Sequence, residues 1–314
     1  MEQRATALGL LALAIWSTSN AISQALVAAL GPFAFLALGF GGGGLALAGI
    51  EGLRQRRWDA ALRPGWRDGL ACGSCFFGYA ACYGLAWQQS PDARTTLVLG
   101  LVNYLWPSLV LLISLGFFPA RVRPLPLVAG VALGLLGIAL ASVRSLDDLA
   151  AAPRLLLQSP LAFALMLAGA LCWGLYTNLA RRGRGDGSGV ALYELCTGGL
   201  FLLLQLGCGR PVRWDPALLG PAAFHVLAIS ALAYALWEHG VQRGSLVTLG
   251  LCAYGLPVAA TAFTCLWLDQ RLGPGLLLGS AAVAGGALLC RAGIAPATNP
   301  PGPSAGSDRS SART

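Results

Sequence analysis

The stretch GLVNYLWPSLVLL, Gly100 to Leu112, sets Asn103, Tyr104, Trp106 and Pro107 inside a run that is otherwise as apolar as a lipid tail. A side-chain amide without a partner in hydrocarbon costs several kcal/mol, roughly 2–7 depending on the reference state, so Asn103 needs either a polar neighbour or a ligand. The apolar run continues on both sides, from about residue 93 to 118. About 20 such residues cross the roughly 30 Å of a bilayer core, which puts 103–107 near the middle of a span. Tryptophan and tyrosine normally gather at the membrane interfaces, so Trp106 at mid-depth is informative. Pro107 lacks an N–H and disturbs the carbonyl of Asn103, and a carbonyl freed in hydrocarbon must find a helix, water or a ligand.

Working outward, the whole chain has the same character. Of 314 residues, 56% are hydrophobic and 11% charged, against about 25% charged in soluble domains. Scanning for runs of spanning length predicts an all-α polytopic membrane protein with ten transmembrane helices, near 5–29, 31–50, 67–90, 93–118, 125–143, 160–180, 189–208, 218–240, 245–268 and 274–292. Arg4 before an apolar run resembles a signal peptide, but WSTSNAISQ interrupts that run and the segment reads as an uncleaved first helix. The turns LGPF (30–33) and SPDAR (90–94) predict tight hairpins, and the Pro, Ser and Gly content of the end of the chain predicts a disordered tail.

Shifting the sequence by 150 residues lays LGLVNYLWP (99–107) on LGLCAYGLP (249–257), so that Tyr104 and Pro107 fall on Tyr254 and Pro257. The same shift pairs Trp87 with Trp237, and a slightly different one sets Trp16 opposite Trp173. Five spans per copy is odd, so the copies are expected to be inverted repeats: residues 1–143 the first, 144–159 a periplasmic connector, 160–292 the second, 293–314 a cytoplasmic tail. Inverted repeats point to a secondary transporter with its substrate site near the midplane. All 21 basic residues are arginine. With both termini in the cytoplasm, fifteen of them fall inside, RQRR (54–57) and RRGR (181–184) among them, which favours that orientation and explains the net charge of +8 without a nucleic-acid partner.

Candidate binding residues follow from helical spacing. Phe76, Tyr79, Tyr83 and Trp87 share one face of the third span; Tyr79 and Tyr83 read equally as packing or cavity-lining residues, and Trp87, near the outer end, as a packing residue or an interfacial anchor. Trp16, Asn20 and either Ser23 or Gln24 share a face too polar for lipid, and Trp173, Tyr176 and Thr177 repeat the pattern in the sixth span. Trp106, Asn103, Tyr79, Tyr83, Trp16, Asn20, Trp173, Tyr176 and Tyr254 are therefore the expected substrate-binding set, with Pro107 and Pro257 as helix-kink or gating positions. FGGGG (40–44) permits close helix approach or bending. Cys72 and Cys75, in CGSC, read as small packing residues, and neither a metal site nor a cofactor is expected. Glu194 and Glu238 fall near helix ends and Glu51 borders a loop, which leaves His225 as the one titrating group expected within a span. Such a site suits a neutral or zwitterionic substrate with a flat apolar part. Enzyme motifs with a nucleophile, metal or acid–base pair are lacking.

AIWSTS in the first helix and above all VNYLWPSL in the fourth resemble the bacterial aromatic amino acid exporters, EamA-type carriers of the drug/metabolite transporter superfamily. The resemblance covers roughly residues 5 to 292 and implies export of phenylalanine, tyrosine, tryptophan and other neutral amino acids from the cytoplasm across the inner membrane; alternating access by a monomer is expected. Where small multidrug members of that superfamily carry a glutamate in helix 1, this chain has IWSTSN. With no carboxyl at the midplane, transport is expected to be facilitative and not proton-coupled. The alternative is export of drugs or other small metabolites, with proton coupling.

Overall fold

Three consecutive hydroxyls bend the first apolar run. In the structure, a computed structural model that describes residues 2–55, 66–117, 120–142, 157–182, 189–208, 211–212 and 214–296, helices α1 (Glu2–Trp16) and α2 (Ser19–Leu30) meet at 44°. The side chains of Ser17, Thr18 and Ser19 donate to the carbonyls of Ala14, Ile15 and Trp16 at 2.7, 2.7 and 2.8 Å. Such back-bonding competes with the helical ladder and bends it. Gly31, at φ +80°, makes the hairpin turn that other residues would enter only under strain. Pro32 then opens α3 (Pro32–Leu36), which passes through a π-helical segment, Ala37–Gly41, into α4 (Gly42–Gln55).

Next come α5 (Trp66–Gln88), α6 (Ala93–Asn103), α7 (Trp106–Ser114), α8 (Pro124–Ser142), α9 (Pro160–Arg182) and α10 (Val190–Cys208). Asp92 caps α6 by accepting from the Thr95 N–H at 2.7 Å. A second long run holds α11 (Leu219–Phe224), a π-helical stretch His225–Leu232 and α12 (Ala233–Arg243). The chain continues through α13 (Leu246–Ala253), α14 (Leu256–Trp267) and α15 (Pro274–Ala292). Pro107 and Pro257 do more than kink: each stands in the first turn of a new helix, leaving two-residue breaks at 104–105 and 254–255, 150 positions apart.

Among the described residues, eight helices are long and apolar enough to span alone, the bent α1–α2 pair makes nine, and α14 is a shorter apolar helix. Of the ten runs expected from the sequence, 245–268 is the one not counted as a span: it consists of α13 and, as the shorter apolar helix, α14. Helix packing runs α5 along α9, α1 along α12, α8 along α15, and α10 along α3, the 37–41 segment and α4. Glycines make the closest of these approaches. A Cβ on Gly137 would lie 2.6 Å from the Gly279 carbonyl oxygen, and one on Gly286 would lie 2.5 Å from that of Gly130.

The connector's residues 144–156 and the tail's residues 297–314 lie outside the described residues. The first part of the expected disordered segment is ordered: β2 (Ile294–Pro296) pairs antiparallel with β1 (Ala120–Val122), and the Arg123 N–H donates to the Gly293 carbonyl at 2.8 Å. Edge pairing satisfies backbone groups that a coil would leave to water.

Candidate functional site

The helix irregularities converge. Trp16 closes α1 at the bend, Trp106 opens α7 at the break, and the His225–Leu232 segment adds a π-helical stretch of the kind that often marks a functional site. Between them lies a cavity lined by Trp16, Ser19 and Ser23 from the first run, Tyr79 and Tyr83 from α5, and Asn103, Tyr104 and Trp106 from the α6–α7 break. Trp173 of α9, Phe35 and Phe40, and His225, Ile229, Ser230 and Tyr234 complete the wall, with Leu256 at the α14 end.

The aromatic walls hold one another edge to face. Trp16 meets Trp173 at 5.7 Å between ring centroids and 90° between planes, and Tyr234 at 5.1 Å and 72°. Trp106 meets Trp173 at 6.5 Å and Trp237 at 5.5 Å, both near perpendicular. Tyr79 lies 5.1 Å from Trp173. Each such pair contributes about 0.5–1.5 kcal/mol beyond its burial, so the box is rigid before any ligand enters. Polar groups tie the breaks together: the Tyr104 hydroxyl donates to the Trp16 carbonyl at 3.3 Å, and the Tyr83 hydroxyl to Asn20 Oδ1 at 3.2 Å. Two buried polar atoms of lining residues, Ser23 Oγ and His225 Nδ1, have no hydrogen-bond partner among the described residues.

Of the residues expected from the sequence, Trp106, Asn103, Tyr79, Tyr83, Trp16 and Trp173 therefore come together around one space. Asn20 holds Tyr83 and faces a small side pocket with Gly100, Tyr104 and Thr261. Tyr176 stacks on Trp173 at 5.1 Å, but its hydroxyl turns to Glu238 Oε2 at 3.1 Å, in a separate pocket. Tyr254 is buried, at the break, and is not among the residues lining the cavity. Trp87 is no interfacial anchor; it is buried, 5.5 Å from Tyr83.

Sequence reasoning passed over Tyr104, Ser230 and Tyr234 as lining residues and Trp237 as a wall of the box. The signal was present for two of them, since Trp237 is the 150-residue counterpart of Trp87 and Tyr234 stands three residues before it on the same face. Glu194 lies near a helix end as expected, but inside the bundle. It is fully buried, with no hydrogen-bond partner on either carboxyl oxygen among the described residues, whereas Glu238 accepts from Tyr176 and from Gln242 Nε2 at 2.9 Å.

The pattern of the EamA-like transporter family matches residues 3–143 and, again, 160–291. The chain belongs to that family. Its relatives include the aromatic amino acid exporter YddG of Escherichia coli, 27% identical over 92% of this chain and 97% of that protein, and that of Ancylobacter novellus, 31% identical over 91% and 96%. An uncharacterized protein, PA1977, of Pseudomonas aeruginosa is 30% identical over 92% and 94%. A protein solved as a crystal structure superposes with a TM-score of 0.68 at 26% identity, covering 92% of this chain and 96% of its own. This EamA-like chain is thus a membrane transporter of the drug/metabolite transporter superfamily, and the helix breaks sit where its aromatic cavity lies.

Proposed function

We propose that this EamA-like transporter exports aromatic and other neutral amino acids from the cytoplasm across the inner membrane by alternating access. The observation that carries this reading is a cavity walled by edge-to-face tryptophans and tyrosines whose lining also includes Ser19, Ser23, Asn103 and His225. A flat side chain stacks on the aromatic faces, while the ammonium and carboxylate of a zwitterion meet hydroxyl, amide and imidazole groups. None of the lining side chains is a carboxylate or an arginine, so a substrate with a large net charge is poorly matched. The names of two relatives, which describe those proteins as aromatic amino acid exporters, favour amino acids over drugs as cargo.

Two inverted five-helix repeats with ten spans, working as a single chain with both termini in the cytoplasm, complete the proposal. Breaks 150 residues apart, the double family match, and packing that exchanges α5–α9 with α12–α1 support it. The expectation of uncoupled transport rests on there being no carboxyl at the midplane; Glu194, near the start of α10, is nevertheless a carboxyl buried inside the bundle. Purified protein in liposomes, offered labelled phenylalanine, tryptophan, leucine and a lipophilic cationic drug, tests the reading. Uptake of labelled phenylalanine, competed by the other large neutral amino acids, is expected. Movement of the drug with no movement of any amino acid would replace it by the drug-export alternative.

A further inference from the structure

Glu194 stands in the second turn of α10, is 0% exposed, and has no hydrogen-bond partner on either oxygen among the described residues. An ionised carboxylate stripped of water and partners is among the most unfavourable groups a protein interior can hold; a proton or a bound cation relieves it. Among the described residues no three His, Cys, Asp or Glu side chains form a cluster that could hold a metal ion. The carboxyl is seated by what Gly43 lacks. A Cβ at Gly43 would stand 2.8 Å from Glu194 Oε2 and 2.6 Å from the Cβ of Ser230. One helical turn earlier a Cβ at Gly39 would stand 2.7 Å from His225 Nε2. The glycine face of one helix thus receives two ionisable side chains from two other elements.

Ser230 links this carboxyl to the substrate cavity: it shares the Gly43 notch with Glu194 and lines the cavity, as does Tyr234 one turn on. Other titratable groups on the elements around α10 include His225 at Gly39, Tyr193 and Cys196 of α10 itself, Arg67, Cys72, Cys75, Tyr79, Cys82 and Tyr83 on α5, and Glu51 farther along α4; among the described residues none hydrogen-bonds the carboxyl. Gly41 lies against Gly198, and Gly44 against Leu195, so α10 meets this helix at close backbone approach.

We propose that Glu194 is the proton-carrying group of this transporter, protonated in the conformation seen and exchanging one proton for each substrate molecule exported. The carboxylic acid releases H⁺ to the cytoplasm when its helix shifts and substrate enters the cavity. The carboxylate takes up H⁺ from the outer side after substrate has left. A zwitterion carries no net charge, so each cycle moves one positive charge inward, and no electrons are transferred.

The identity of the exchanged substrate rests on the export reading above; the protonated carboxyl does not. In liposomes with an acidic interior and the membrane potential clamped, wild type should accumulate labelled phenylalanine, by up to about tenfold per pH unit at one proton per substrate. The purified protein should show an infrared C=O stretching band of a carboxylic acid that shifts in D2O and is missing from E194Q. Equilibration without accumulation in wild type would overturn the proposal, as would an E194Q variant that accumulates like wild type, or one that keeps the band. Wild-type liposomes that exchange no amino acid overturn the amino acid reading and the exchange step with it, and the band then decides alone whether Glu194 holds a proton.

Discussion

The indole N–H of Trp16 donates to the backbone carbonyl of Ile229 at 3.3 Å, joining the bend in the first run to the π-helical stretch 213 residues later. Its ring meanwhile contacts Trp173, Tyr234 and Trp237. One side chain thus serves both as a cavity wall and as a tie between the halves. W16F keeps an aromatic face and loses the donor, a change of about 0.5–1.5 kcal/mol. Labelled phenylalanine exchange in liposomes should fall about two- to tenfold in W16F and further in W16A. Equal activity in W16A and wild type would show that neither the tie nor the wall matters to transport.

Trp106 spans the space between Trp173 and Trp237, and Asn103 lines the cavity one turn away. Replacing Trp106 by alanine is expected to reduce aromatic amino acid export about tenfold or more, since it removes two edge contacts and a stacking face. N103A should raise the substrate concentration needed for half-maximal rate more than it lowers the rate. Membrane content by immunoblot, alongside protection of growth against toxic phenylalanine analogues, separates a transport defect from a loss of protein. Discrimination among large neutral amino acids should be loose, because stacking and neutral hydrogen bonds distinguish them weakly.

Opposite effects are expected at two glycines, one inside the α8–α15 contact and one away from it. G279V would drive a side chain into the Gly137 carbonyl and Ala141, and should cost about 1–3 kcal/mol, read as a lower melting temperature of the detergent-solubilised protein. Gly199, exposed in α10, has no described atom within 4 Å of where an alanine methyl would stand. G199A should therefore raise the melting temperature, with a gain of up to about 1 kcal/mol in helix stability.

Topology is tested by reporters fused at sequence positions in the arginine-rich segments. Fusions after Arg57 and Arg182 should report the cytoplasm, and those after Asp147 and Arg213 the outer side. Opposite locations for 57 and 182 would break the inverted-repeat proposal.

Much of this was legible in the chain because its causes are local. The apolar runs, the interruptions at WSTS, NYLWP and AYGLP, and the 150-residue recurrence follow from backbone chemistry acting within a turn or two. The aromatic faces of α5 and α9 could likewise be read from spacing. What faces those residues could not be read. Tyr234 and Trp237 reach the box only because α12 packs along α1, and Tyr254, the repeat partner of Tyr104, is buried away from the cavity that Tyr104 lines. Glu194 shows the same limit most plainly: its position near a helix end said nothing of its burial, and Gly43, some 150 residues away in sequence, leaves the notch that holds it. The sequence by itself determined where the helices run and where they break, since those depend on each residue's own backbone and near neighbours. Only the tertiary structure decided which side chains share the cavity and which carboxyl loses water, since burial depends on the surface of whatever helix arrives opposite.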